Sequence, residues 1–408
     1  MESSLTVYGI GADGWVSLDP HAQQGILAAE VVLGGSRHLD LLPAVDGQER
    51  AAWPTPLRPN LPAFLARYAA RDVAVLASGD PLVSGIGSTL IEILGPDRVT
   101  VVPAVSSVAL ARARLGWPAE TVEVITLVGR DPAAVQAALA PGHRLLVLSS
   151  DAATPGVVAK LMTEHGYGDS TLTVLGDLGA ADETRRTTRA SDWSGDAPLL
   201  NVIAIACVGG GAVRAGRVPG LPDDAFEHDG QLTKRDARAS ALARLAPTPG
   251  ELLWDIGAGA GSIGIEWLRV GATLRAIAVE ADPDRAARIG RNARALGVPR
   301  LTVVTGRAPE ALGDLPAPDA VFIGGGATRT GVLDAALAAL RPGGRIVVHG
   351  VTHETESLLF ARYADLGGEL TRIQVETAAP IGTFTGWSPA RAITQWAFTR
   401  PSTSGAPA

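Results

Sequence analysis

Residues 253–266 read Leu-Trp-Asp-Ile-Gly-Ala-Gly-Ala-Gly-Ser-Ile-Gly-Ile-Glu, and Ala278-Val279-Glu280-Ala281-Asp282 closes the next apolar run. An apolar strand over Leu252 to Ile256 that runs into a glycine-dense turn and then a helix lets backbone approach a ligand closely, because no side chain stands between them. An acidic residue about 20 positions on falls at the tip of the second parallel strand, where a carboxylate can accept both hydroxyls of a ribose. Glu280 occupies that place. The stretch Gly257-Ala258-Gly259-Ala260-Gly261 with Glu280 therefore reads as a nucleoside site.

The glycines alone do not choose the nucleoside. Gly259-x-Gly261-x-x-Gly264 also satisfies the dinucleotide fingerprint, so an NAD-dependent oxidoreductase stays open at this point. Asp255, two residues before Gly257, puts a carboxylate beside the loop, an arrangement that suits a cationic sulfonium and repels a pyrophosphate. Further on, the runs from Pro318 to Gly326 and from Leu340 to Val348 resemble the fourth and fifth strands of class I methyltransferases, which use S-adenosylmethionine.

The elements that must position these residues follow from the periodicity. Short β-rich runs alternate with helical stretches along the chain, the pattern of βαβ units in an α/β protein. In the first half strands are expected near Leu5–Ile10, Val73–Ala77, Val99–Val102, Val124–Val128, Arg144–Leu148, Leu172–Leu175 and Val202–Val208. The pattern breaks at Gly209-Gly210-Gly211. Two domains, 1–208 and 226–400, are expected around a linker at 209–225, with a helix over Thr233 to Leu245 ahead of the glycine loop and a disordered tail at 401–408.

Composition narrows the function classes. The chain has 408 residues, 46% of them hydrophobic and 19% charged, which is enough for two self-sufficient cores. No apolar run reaches the roughly 20 residues that span a bilayer, and Met1-Glu2-Ser3-Ser4 lacks a signal-peptide layout, so a cytoplasmic location and no membrane partner are expected. A net charge of −7 disfavours nucleic acid as a partner and leaves a nucleic-acid methyltransferase as a weaker alternative. The single cysteine, Cys207, lies in an apolar run and reads as a buried inert thiol. The seven histidines show no ligand spacing, and no metal is expected; His349 and His353 come nearest to a pair and are candidate substrate contacts. The positive charge is almost all arginine, whose planar fork suits a polycarboxylate small molecule. Self-association into a homo-oligomer is expected.

The first half carries its own loops at strand ends: Tyr8-Gly9-Ile10-Gly11-Ala12-Asp13-Gly14, the run Ser78-Gly79-Asp80-Pro81 through Gly87, and Pro103-Ala104-Val105-Ser106-Ser107. Ligands bind beyond the carboxyl ends of strands in an open parallel sheet, so such loops can line one cleft. Asp80 could cap the following helix or contact a ligand. Taken in this order the three loops resemble the tetrapyrrole methylase family. The second half resembles the decarboxylating precorrin methyltransferases in Leu232-Thr233-Lys234-Arg235-Asp236, Trp254 to Gly259, Gly306-Arg307-Ala308-Pro309-Glu310 and Phe322-Ile323-Gly324-Gly325. Joined in one chain, the halves resemble the bifunctional decarboxylating precorrin methyltransferases of cobalamin biosynthesis.

The resemblance implies a tetrapyrrole-methylase-like α/β domain followed by a Rossmann-like class I methyltransferase domain, with one S-adenosylmethionine site in each. It implies methylation of precorrin-6B, a polycarboxylate tetrapyrrole, at meso carbons 5 and 15, with loss of carbon dioxide from the ring C acetate. Thr233, Gly257 to Gly261, Glu280 and Ala308 match the family's cofactor positions in the second half, and Gly79, Asp80, Ser106 and Ser107 are the cofactor-side candidates in the first. Lys234, Arg235, His349 and Asp13 are the candidates for a catalytic role, and Arg37, Arg112 and Arg130 for meeting substrate. Many tetrapyrrole methylases begin Gly-x-Gly-Pro-Gly-Asp, whereas Ala12-Asp13-Gly14 moves the acidic residue forward, which leaves the role of Asp13 open.

Overall fold

The computed structural model describes residues 5–210 and 216–402. Residues 211–215 of the expected linker and 403–408 of the expected tail lie outside the described residues. The chain divides into two compact units, one of residues up to 132 together with 141–209, the other of residues 133–140 together with those from 210 onward.

The first unit contains two sheets. Strands β1 (Leu5–Ile10), β2 (Val31–Gly34), β3 (Glu49–Ala52), β4 (Val73–Ser78) and β5 (Val99–Val102) form a parallel sheet of order β3-β2-β4-β1-β5. β1 and β4 are almost wholly buried, in keeping with runs such as Val73-Ala-Val-Leu-Ala that are apolar on both faces. Strands β6 (Glu123–Thr126), β7 (Arg144–Leu148), β8 (Thr171–Gly176), β9 (Thr184–Arg189) and β10 (Asn201–Ala206) form a second sheet of order β6-β7-β10-β8-β9, in which β6 and β7 are parallel and the other pairs antiparallel. All seven strands expected in this half are present. Strands β2, β3 and β9 are not among those expected, although Val31-Val32-Leu33 of β2 is a short apolar run. β9 is Thr-Arg-Arg-Thr-Thr-Arg, mostly exposed at a sheet edge, so neither apolar alternation nor a continuous apolar run marks it.

The second unit is built on β11 (Leu252–Ile256), β12 (Arg275–Glu280), β13 (Thr302–Thr305), β14 (Ala320–Ile323), β15 (Arg345–Gly350), β16 (Glu369–Ile373), β17 (Glu376–Ile381), β18 (Phe384–Pro389) and β19 (Ile393–Thr399). Seven of these form one sheet of order β13-β12-β11-β14-β15-β19-β16; β17 and β18 form a separate hairpin. The first five strands and β16 run in one direction, and β19, inserted between β15 and β16, runs antiparallel to both its neighbours. Strand alternation sends Leu253, Ala276, Ala278, Phe322 and Val347 into the core on one face, with Ile263, Trp267 and Leu242 of the covering helices. Trp254, Ile256, Val279, Val321, Ile323 and Val348 go to the other face, with Leu333, Ala336 and Leu359. Burial on both faces explains why these strands read as continuous apolar runs.

The expected helix begins at Arg235 and ends at Leu245. Cys207 is buried, as its apolar surroundings implied. No helix among the described residues is long and apolar enough to cross a membrane.

Candidate functional site

β11 ends at Ile256 and the chain turns through Gly257 and Gly259, with φ of +67° and +59°, a region in which only glycine is unstrained. A Cβ at Gly257 would lie 2.7 Å from the Gly325 carbonyl oxygen, and one at Gly259 would lie 2.7 Å from the Gln231 carbonyl oxygen. Backbone packs against backbone here from three segments. Glu280, at the end of the neighbouring β12 and only 7% exposed, accepts the Gly259 N–H at 2.8 Å on Oε2 and the Asp282 N–H at 3.1 Å on Oε1. Each carboxylate oxygen keeps a further lone pair for a ligand hydroxyl. The loop opens on a cavity of about 1340 Å³, into which Glu280, Gly257, Ala258 and Gly259 face.

A second device fixes the neighbouring part of the wall. Arg238, fully buried on the helix Arg235–Leu245, donates to Glu266 Oε1 at 2.6 Å, to the Thr233 carbonyl at 2.5 Å and to the Leu221 carbonyl, and it lies 4.8 Å over the Phe226 ring. Glu266 is itself buried and accepts the backbone N–H groups of Gly220 at 2.5 Å and Leu221 at 3.0 Å. The buried charges are thus paired and hydrogen-bonded, the condition under which burial is tolerated. Residues 220–225, expected as the end of the linker, are strapped to this unit, with Leu221 and Phe226 in its core. The strap carries Thr233, Lys234 and Arg235 into the cavity wall.

Of the residues singled out in the second half, Thr233, Lys234, Arg235, Gly257, Ala258, Gly259, Glu280, Ala308 and His349 line this cavity. Ala260 and Gly261 do not. Ala260 is 1% exposed, its carbonyl accepting Asn292 Nδ2, and Gly261 backs onto Ile289. His353 is on the helix His353–Leu366 with its side chain in solvent, facing Glu356.

Asp255 also departs from expectation. Alternation along β11 turns it away from the cavity, and its Oδ2 accepts the Gly264 N–H at 3.0 Å. Burial pushes its carboxyl up to about 7, and it anchors the helix Ser262–Val270 from behind the glycine loop instead of facing a ligand in the cavity.

Several cavity cations have protein partners: Arg285 with Asp229, Lys234 with Asp223, Arg329 with Glu310. The guanidiniums of Arg235, Arg307 and Arg391 have none among the described residues. Arg307 and Arg391 were not singled out by sequence reasoning, although Arg307 lies inside the Gly306–Glu310 motif. Arg391 reaches the cavity through the hairpin and β19, which carry no local motif.

His349, at the end of β15, is 8% exposed and packs edge-on to Phe322 at 5.0 Å. Its Nε2 lies 2.8 Å from the side-chain amide of Gln395 on β19. On the other side of that amide Arg244 can only donate, and Ser240 Oγ, 3.3 Å from the amide, already accepts from Arg244 Nη1 at 3.0 Å and has its own proton to give, so Gln395 turns its oxygen to Arg244, at 3.1 and 3.2 Å, and its NH2 to His349. Burial lowers the His349 imidazole to about 4, and the Arg244 charge acts in the same direction.

In the first unit, β4, β1 and β5 are neighbours, so their terminal loops meet. Gly79 N–H donates to Ile10 at 2.9 Å and Ala104 N–H to Gly79 at 3.2 Å; a Cβ on Gly9 would run into both Gly79 and Ala104. Asp80 does not cap the next helix. That helix starts from Gly85, and Asp80 accepts the Leu82 N–H at 2.9 Å in a local turn. Ser106 is the N-cap of the helix Ser107–Leu115, accepting Ala109 N–H at 3.1 Å, with Ser107 next to it. Asp13 precedes the short turn Gly14–Ser17 and caps nothing with its side chain. Arg37 bonds Ser78 at 3.2 Å, beside the Gly79 turn, and burial lowers its pKa. Arg112 has a buried, unpartnered Nε, and Arg130 is exposed.

Residues 4–193 match the family of tetrapyrrole (corrin/porphyrin) methylases, and residues 224–400 match the precorrin methyltransferase domain. A protein of Sinorhizobium sp named precorrin-6Y C(5,15)-methyltransferase [decarboxylating] is 47% identical over 398 residues, 97% of this chain and 96% of its own. The chain belongs to this family. Methyl transfer thereby prevails over the dinucleotide alternative that the glycine loop had left open, and S-adenosylmethionine is the family's methyl donor. Shorter relatives match part of the chain. A probable cobalt-precorrin-6B C(15)-methyltransferase (decarboxylating) of Pyrobaculum calidifontis is 35% identical over 41% of this chain and 89% of its own. A cobalt-precorrin-7 C(5)-methyltransferase of Salmonella typhimurium is 32% identical over 44% of this chain and 88% of its own.

Proposed function

We propose that the chain methylates a precorrin at meso carbons 5 and 15, using one S-adenosylmethionine site in each half, and removes carbon dioxide from the ring C acetate. Residues 226–400 carry out the decarboxylation and one methylation, and residues 1–208 the other methylation. The observation that carries this reading is the meeting, in one cavity, of the Gly257–Gly259–Glu280 cradle and the uncommitted guanidiniums of Arg235, Arg307 and Arg391. The short relatives, each named for a single methylation and one of them also for decarboxylation, support the division of labour.

S-adenosylmethionine supplies an electrophilic methyl group. The glycine turn admits its nucleoside against the backbone, and Glu280 accepts the ribose hydroxyls. The enamine-like carbons of a reduced macrocycle are already nucleophilic, so alignment and a proton acceptor suffice and no nucleophilic side chain is required. Arg235, Arg307 and Arg391 dock the peripheral carboxylates and set which meso carbon faces the methyl. In the first half, the Gly79 turn beside Ile10 and Ala104 gives the same kind of close approach, with Arg37 at its side.

Incubation with methyl-labelled S-adenosylmethionine and a panel of reduced tetrapyrroles, followed by mass spectrometry, tests the reading. A product heavier by two labelled methyls and lighter by carbon dioxide is expected. Calorimetry showing one S-adenosylmethionine site, with the isolated first half inert toward the cofactor, would count against the two-site assignment.

A further inference from the structure

We propose that His349 is the group that meets the departing acetate carboxylate, and that Gln395 and Arg244 are positioning residues that hold it as an uncharged Nδ1–H donor. The inference rests on the decarboxylation assigned above to the C-terminal cavity. Its starting point is a chain of forced orientations. Arg244 has only donors, its Nε also reaching Glu369 at 3.1 Å, so the Gln395 oxygen faces Arg244 and the Gln395 NH2 faces His349 Nε2. Nε2 must then be the acceptor, and the one proton of the neutral ring is on Nδ1. Gln395 is fully buried between them, and Phe322 fixes the ring edge-on. Nδ1 has no protein partner among the described residues, while the ring lines the cavity.

The chemistry gives such a donor a purpose. In the reaction the bond between the acetate methylene and its carboxylate breaks, and carbon dioxide leaves. The bonding pair stays on the methylene carbon, spreads into the protonated macrocycle, and a proton from water converts that carbon to a methyl group. The carboxylate charge disappears from the departing group as the bond breaks. A guanidinium on that carboxylate would bind the ground state more tightly than the transition state and slow the step. A neutral N–H orients it with far less ground-state stabilisation. The cavity separates the two tasks: Arg235, Arg307 and Arg391 suit carboxylates that remain, and His349 suits the one that is lost.

The test uses the full-length protein with precorrin substrate and S-adenosylmethionine, reading labelled carbon dioxide and methyl transfer separately. His349→Ala should lower kcat for carbon dioxide release about ten- to a hundredfold, with KM and S-adenosylmethionine affinity within about threefold. His349→Asn, which restores a neutral N–H donor, should recover about tenfold of that loss. Gln395→Glu, which replaces the NH2 by an acceptor and draws the proton to Nε2, should slow release while leaving cofactor affinity unchanged. Imidazole ¹⁵N NMR of the wild type should show a protonated Nδ1 and an unprotonated Nε2. Unchanged carbon dioxide release in His349→Ala, a proton on Nε2 in the wild type, or equal loss of cofactor affinity and release in both His349 variants would overturn the proposal. A wild type with this tautomer that methylates without releasing carbon dioxide would instead overturn the decarboxylase reading on which it rests.

Discussion

Replacing Glu280 by Ala separates the cofactor role proposed for this residue from its structural one. The Glu280 carboxylate is 7% exposed and accepts the Gly259 and Asp282 N–H groups, so it both shapes the glycine turn and presents oxygens to the cavity. Losing a charged acceptor for ribose hydroxyls costs about 1.5 to 3 kcal/mol, or about ten- to a hundredfold in affinity. Leaving the Gly259 N–H without its acceptor costs the fold a further 1 to 3 kcal/mol or so. Glu280→Gln keeps one carbonyl oxygen for Gly259 and loses the charge, so it should restore most of the stability and only part of the affinity. Calorimetric titration with S-adenosylmethionine, paired with thermal melts of wild type and both variants, measures the two effects apart. A fall in melting temperature with affinity at the C-terminal site held within twofold would show that Glu280 only supports the loop, and the nucleoside assignment would fail.

Asp255→Asn should remove a pH dependence. The folded-state carboxyl is pushed up to about 7 while the unfolded one titrates near 4, so the fold holds the extra proton between those values. Wild-type stability should therefore fall from about pH 4 to 7 and level off above, by up to about 4 kcal/mol, relative to the variant; parallel denaturation midpoints at pH 5 and 8 would refute this. Arg307→Ala and Arg391→Ala should each raise KM for the precorrin about three- to tenfold, with S-adenosylmethionine affinity unchanged; steady-state kinetics with an unaltered KM in the double variant would remove the docking role. A fragment of residues 217–402 should melt several degrees above one of residues 226–400. The shorter one loses Leu221 from the core and two N–H donors from the buried Glu266, together about 2 to 4 kcal/mol. Equal melting temperatures would show that the strap contributes nothing. Labelled carbon dioxide from the N-terminal half alone, or two methyl groups added by the C-terminal half alone, would reverse the division of labour.

The sequence by itself carried the α/β class, the apolar strands, the glycine turn with Glu280 and the family. These are local signals. A strand buried on both faces must be apolar throughout, a turn packed backbone to backbone must be glycine, and a ribose acceptor must follow one strand later. Tertiary structure decided what depends on partners remote in sequence. It turned Asp255 inward under the helix it anchors, strapped residues 220–225 to Arg238 and Glu266, and took Ala260 and Gly261 out of the cavity wall. It joined Arg235, Arg307 and Arg391 on one cavity, and it set the His349 tautomer through Gln395, 46 positions away, and Arg244 on the helix Arg235–Leu245. No local pattern encodes such choices, because the direction of a side chain and the orientation of an amide are fixed by what lies opposite, and only the folded chain brings the opposing donor or acceptor into place.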